Sequence, residues 1–168
     1  MVKKHALALG FLLCWLSLSP CPTWADFSAK VMAVHEGDRL TIYYKGRKQE
    51  IRLRGVDCPE LKQPYGKQAK NATGSYVGSR EVVIRALKRN RQGHLTADVL
   101  LTDGRNLSRE LLKEGLAWSR PETSEQSDLK DIEQLAKAAG KGLWADKNPV
   151  PPWKWKQSNK IKRRKFSN

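Results

Sequence analysis

The chain has 168 residues, 32 of them Lys or Arg against 17 Asp or Glu, for a formal charge of +15 and a pI near 10.0. An apolar content of 39%, with six Trp, four Tyr and three Phe, can fill the core of one ordinary domain and excludes wholesale disorder. So large a basic excess points to a polyanionic partner, nucleic acid ahead of an anionic membrane surface.

Residues 1–25 read as a secretory signal. Lys3 and Lys4 form a positive start, Ala6 to Leu18 holds eleven apolar residues in thirteen, and Thr23-Trp24-Ala25 offers small residues where a signal peptidase reads. The apolar run is short of the roughly 20 residues that a membrane span needs. The expectation is export, to the periplasm or beyond, without stable membrane insertion. Cleavage after Ala25 leaves Cys58 as the only cysteine and hence no internal disulfide.

Phe27 to His35 alternates loosely, with Val31 and Ala33 on one face, whereas Leu40, Ile42 and Tyr44 alternate cleanly, as do Ile51 and Leu53. These are three strands, joined by turns at Gly37-Asp38 and Lys45-Gly46, which makes an antiparallel meander their natural arrangement. Pro64 then opens a helix whose face is Tyr65, Ala69, Ala72 and Tyr76, despite Gly74 inside it. Val82 to Ile84 and Ala97 to Leu101 read as two further strands. Asn106 caps a helix carrying Leu107, Leu111 and Leu112 that stops at Gly115, and Leu129, Ile132, Ala136 and Ala139 make a last helix closed by Gly140. The result is a mainly β, α+β domain over residues 26–153 with five strands and three helices. Short strands in so small a domain hide their edges by closing into an antiparallel barrel.

Pro149 to Pro152 ends the compact part, and residues 154–168 carry seven Lys or Arg and no acid. This segment is expected to be a flexible basic tail, either a solubilising end or a nucleic-acid arm. Lys154, Lys156, Arg163 and Arg164 are its candidate phosphate contacts, joined by Arg89 and Arg91 in the segment RALKRNR. The charge divides accordingly: +7 lies on the tail and only +6 on residues 26–153.

Against that background three carboxylates stand out: Asp38 in the turn EGD, and Asp57 and Glu60 in RLRGVDCPE. Pro59 fixes its own φ and biases Cys58 toward an extended conformation, so the peptide between Asp57 and Glu60 is stiff. Hard cations such as Ca²⁺ take oxygen ligands, and two carboxylates with one carbonyl leave room for bound water. A third carboxylate nearby can take a proton from that water. Arg52 adds a planar fork suited to two phosphate oxygens. Cation, base and guanidinium together are the equipment for phosphodiester hydrolysis.

The string VHEGDRLTIYYKGRKQEIRLRGVDCPE resembles the first signature segment of the staphylococcal-nuclease-like (thermonuclease) family, with the same separation of Asp38, Arg52, Asp57 and Glu60. QPYGKQAK, ADVLLTDGRNLSRELLKEGLAW and GLWADKNPVPPW are similar to the later blocks of its bacterial exported members. The resemblance implies a five-stranded OB-fold barrel with three helices and a Ca²⁺-dependent nuclease that cuts DNA and RNA to leave 3′-phosphates. It also implies that Asp38, Asp57 and the backbone carbonyl of Cys58 hold Ca²⁺, that Glu60 is the general base, and that Arg52 clamps the scissile phosphate.

Departures from the pattern are specific. Asn90-Arg91-Gln92-Gly93-His94 stands where the family's second signature runs Asp, basic, Tyr, Gly, Arg. His94 thus occupies the place of a second phosphate-binding Arg, a weaker catalytic element because neutral imidazole cannot replace a permanent bidentate cation. Ser119-Arg120-Pro121 follows Trp118 where nucleotide-stacking aromatics are expected, and Arg39 replaces a Thr beside Asp38. Trp118 and Trp144 each end an apolar segment and read as packing residues, while Trp153 and Trp155 either stack on bases or pin the tail to the barrel. The expectation is a monomeric nuclease acting on DNA and RNA with little sequence preference and no protein partner. The alternative is a nucleic-acid-binding OB-fold module with lost or residual catalysis.

Overall fold

The computed structural model describes residues 26–78, 80–89, 94–120 and 126–165, apart from the side chains of 86, 87 and 161–165. The signal-like residues 1–25, Arg91 and Gln92, and the side chains of Arg163 and Arg164, lie outside the described residues.

Strands β1 (Phe27–Glu36), β2 (Arg39–Tyr44) and β3 (Arg47–Leu53) form the expected meander. Lys45 and Gly46 have φ values of 47° and 75°, the left-handed pair on which a tight two-residue hairpin depends. Leu40, Ile42, Ile51 and Leu53 all point into the core. β1 departs from simple alternation. A register shift between Val31 and Ala33 leaves Ala33 exposed, and Val34 packs against the core instead, because one extra residue in a strand exchanges its two faces.

After β4 (Val56–Asp57), helix α1 (Gly66–Val77) leads to β5 (Glu81–Arg89) and β6 (Leu95–Leu100), which close a barrel of order β1-β2-β3-β6-β5. The closed OB-type barrel bears out the expected class, with one correction. β3 and β6 run parallel, with Arg52 opposite Thr96, while the other four neighbouring pairs are antiparallel. An all-antiparallel ring of five is impossible: around an odd number of strands, alternating directions leave one like-directed pair.

Helix α2 (Leu107–Lys113) is capped by Asn106 as expected, its side chain accepting from the Arg109 N–H at 3.3 Å. A short strand β7 (Trp118–Ser119) then pairs with β4, setting Trp118 opposite Asp57. Helix α3 (Asp128–Ala138) and a 3-10 turn over Gly142–Ala145 come next, and Trp144 packs edge-on to Trp118 with ring centroids 5.4 Å apart. Both indoles thus have the packing role their positions suggested.

The C-terminal region differs most from expectation. Where composition suggested a flexible tail from Lys154, the chain is a fourth helix, α4 (Pro152–Lys165). Proline suits a first helical position, and Lys, Arg and Gln are good helix formers even without an apolar stripe. Because α4 lacks such a stripe, a few contacts dock it: Trp153 sits edge-on to Trp118 at 6.4 Å, and Gln63 donates to the Val150 carbonyl just before the helix. Among the described residues, no helix is long and apolar enough to cross a membrane.

Candidate active site

The β1–β2 turn, the end of β3, β4 and the segment leading to α1 converge at one end of the barrel. Asp38 is 4% exposed and its backbone carbonyl accepts from the Leu53 N–H at 2.9 Å, which ties the turn to β3. Arg52 reaches Asp38 with 3.6 Å between Nη1 and Oδ2. Glu50, two residues before Arg52 on β3, is taken by Arg39, which also pairs with Glu36. Asp57 is 7% exposed on β4, close enough to act on Asp38 electrostatically. Burial, and after it the charge of Asp57, pushes the Asp38 carboxyl from 3.8 up to about 7, although Arg52 opposes the shift.

A buried carboxyl held up by burial and by a second buried carboxylate, despite the guanidinium groups of Arg52 and Arg120, fits a bound cation between the two acids. Among the described residues no group of three His, Cys, Asp or Glu side chains converges as metal ligands. A cation would depend on Asp38, Asp57, the Cys58 carbonyl and solvent, an all-oxygen set of the kind calcium accepts. The Cys58 thiol is 1% exposed, and burial pushes its pKa up, so it stays protonated and packs as an apolar group.

Glu60 belongs to a tight turn in which Gln63 N–H donates to the Glu60 carbonyl at 2.8 Å, while the Glu60 N–H donates to Gln63 Oε1 at 3.2 Å. Its carboxylate, a quarter exposed, meets Lys156 Nζ of α4 at 2.8 Å. Lys156 was expected in a free tail, so this pairing with the candidate base was not legible in the sequence.

α1 braces both halves of the cluster. Thr73 Oγ1 donates to the Gly37 carbonyl at 2.6 Å, and a Cβ on Gly37 would fall 2.8 Å from both Ala69 Cβ and Cys58 Sγ. At the other end, a Cβ on Gly66 would lie 1.9 Å from the Glu60 carbonyl oxygen. Gly66→Ala is therefore expected to push the Glu60 turn off the helix, lowering stability by about 1–3 kcal/mol and slowing cleavage. Gly74→Ala is the control: nothing lies within 4 Å of its Cβ, and it should stabilise by about 0.5–1 kcal/mol. Urea denaturation beside a cleavage assay distinguishes the two.

Arg120 is a further residue that sequence reasoning missed, noting it only where an aromatic was expected. Its N–H donates to the Gly55 carbonyl at 2.7 Å, extending the β4–β7 pairing, and its Nη1 lies 3.1 Å from Asp57 Oδ2. The guanidinium sits 5.3 Å from the Trp153 ring centroid and its side chain is 59% exposed. His94 is exposed just before β6, two residues upstream of Thr96, the partner of Arg52. Arg89 ends β5 opposite Leu95, so it shares that part of the barrel with His94. Lys154 is exposed on the first turn of α4.

An OB-type barrel that gathers acids and guanidinium groups at one end is the build of a nucleic-acid-cleaving enzyme. A family model described as staphylococcal nuclease homologue matches residues 50–146. A protein called an uncharacterized endonuclease from Haemophilus influenzae is 31% identical over 162 residues, 96% of this chain and 90% of its own length. Another uncharacterized endonuclease, from Escherichia coli O157:H7, is 29% identical over 92% of this chain and 98% of its own. A probable staphylococcal-like nuclease of Oryza sativa subsp. japonica is 35% identical over 114 residues, 68% of this chain but 30% of that protein. The chain belongs to the staphylococcal nuclease family and is a nuclease.

Proposed function

We propose that the protein is a Ca²⁺-dependent endonuclease that hydrolyses DNA and RNA with little sequence preference and leaves 3′-phosphates. The observation that carries this reading is the convergence of buried Asp38 and Asp57 with Arg52, while Glu60 lies three residues beyond Asp57 on a proline-stiffened peptide. When bound, Ca²⁺ would polarise the phosphate and hold water beside it, with Asp38, Asp57 and the Cys58 carbonyl as its protein ligands. Glu60 takes the proton from the attacking water, whose oxygen bonds to phosphorus as the P–O5′ bond breaks and the 5′-oxygen leaves with a proton from solvent. Arg52 and Arg120 flank the carboxylates and bind the non-bridging oxygens as charge builds on them. Arg120 thereby serves as the second guanidinium that His94 cannot be, and His94 is left with a hydrogen bond to substrate at most.

The basic side chains of α4 and of the β5–β6 region, including Lys154, Lys156, Arg163, Arg164, Arg89 and Arg91, add sequence-independent affinity for phosphates. The signal-like residues 1–25 support an exported enzyme, periplasmic or extracellular, and we read it as a monomer. The direct test is cleavage of single-stranded DNA and of RNA with Ca²⁺ and with a chelator. Cleavage of both polymers in Ca²⁺, abolished by chelation, is the expected result; cleavage indifferent to the chelator refutes calcium dependence.

A further inference from the structure

The turn that carries Glu60 also builds a surface that catalysis leaves unused. Between residues 61–68 and α4 runs an open groove of about 1040 Å³. Its walls are Leu61, Pro64, Tyr65 and Trp155, with Lys62 and Lys67 along them, and among the described residues no carboxylate lines it. Leu61 and Pro64 are exposed, while Tyr65 and Trp155 are half-buried. Tyr65 has a φ of 64°, a left-handed conformation that bulky residues rarely adopt, so the turn and not local preference sets where this ring stands.

We propose that this groove is a stacking subsite for an unpaired nucleotide on the strand being cut, a proposal that rests on the nuclease reading above. Charge and continuity favour this occupant. Lysines flank aromatic surface without any acid, the combination that tracks a phosphate backbone while offering rings to its bases. The groove also adjoins the candidate active site along the chain at two points. Leu61 directly follows Glu60, and Lys156, directly after Trp155, holds the Glu60 carboxylate at 2.8 Å. In this proposal a strand with a phosphate at Glu60 extends its next nucleotide toward Trp155. Stacked bases in a duplex cannot enter such a groove, so the subsite selects single strands, and every base has a face to stack, so it does so without regard to sequence.

The test uses the full chain, in chelator, and measures anisotropy of a short labelled oligothymidylate and of a hairpin duplex. Trp155→Ala should weaken oligothymidylate binding about tenfold, the order expected for loss of one base stack, and leave duplex binding unchanged. Trp155→Phe should restore most of it. A Lys62→Ala, Lys67→Ala double variant, on exposed positions that do not threaten the fold, should weaken binding and flatten its salt dependence. In Ca²⁺, Trp155→Ala should raise KM for single-stranded DNA with kcat unchanged. Unchanged oligothymidylate binding in Trp155→Ala, or equal losses for single strand and duplex, overturns the subsite. So does polyglutamate binding as strong as that of oligothymidylate, since charge alone would then explain the groove. If the wild type fails to cleave at all, the nuclease mechanism falls while the anisotropy measurements still decide the groove; should Trp155→Ala fail to fold, the double lysine variant decides it.

Discussion

Asp38→Asn is expected to make the metal-free protein more stable at about pH 8 while slowing its cleavage about a hundredfold or more. The carboxyl of Asp38 is held at about 7 in the folded chain against 3.8 ordinarily, because it is buried and faces Asp57. A group whose folded pKa is raised contributes stability that is present below its unfolded pKa and lost as pH rises through the folded value. The wild type without metal should therefore weaken as pH rises from about 4 to above 7, by a few kcal/mol in order of magnitude. Asn carries no charge to bury, so that pH dependence should vanish, and the variant should match the wild type at about pH 3, below the unfolded value, but exceed it near pH 8. On the proposed calcium site, added Ca²⁺ should stabilise the wild type and not the variant. Loss of that ion's transition-state stabilisation should slow cleavage by about a hundredfold or more. Urea titrations in chelator at the two pH values are the measurement. A variant that is no more stable than the wild type near pH 8 would mean that Asp38 is not under electrostatic stress.

Glu60→Gln should behave in the opposite way, removing activity without touching stability. Its carboxylate is a quarter exposed and its ion pair with Lys156 lies at the surface. Such pairs are worth about 0–1 kcal/mol, so the melting transition should barely move. Gln keeps the shape of the side chain and can still meet solvent, but cannot accept the proton of an attacking water. Loss of a positioned base typically slows a reaction by about 10²–10⁴. Together the two variants separate the proposed ligand, Asp38, from the proposed base, Glu60.

The parts of this molecule that were legible in the sequence are those set by neighbours along the chain. Leu40, Ile42, Ile51 and Leu53 announce their strands by alternation, Lys45-Gly46 its hairpin, and Asn106 its helix start. Asp38, Arg52, Asp57 and Glu60 stand out because their spacing resembles a family signature, and β2–β3 pairing sets Arg52 beside the turn that carries Asp38. The features that were not legible depend on closure. The parallel β3–β6 pair results from the parity of the ring, and Arg120 reaches Asp57 only because β7 pairs with β4 across 63 residues. Lys156 meets Glu60 only because the tail is a helix and Trp153 seats it against Trp118. Gly66 looks like any turn glycine until its Cβ is placed against the Glu60 carbonyl.

The central claim is that this carboxylate cluster performs metal-dependent phosphodiester cleavage, and the rate of single-stranded DNA cleavage by the wild type and Glu60→Gln, side by side in saturating Ca²⁺, tests it most directly. The account predicts a wild-type rate at least about a hundredfold above that of the variant, with both proteins melting alike. Equal rates in the two proteins would contradict it.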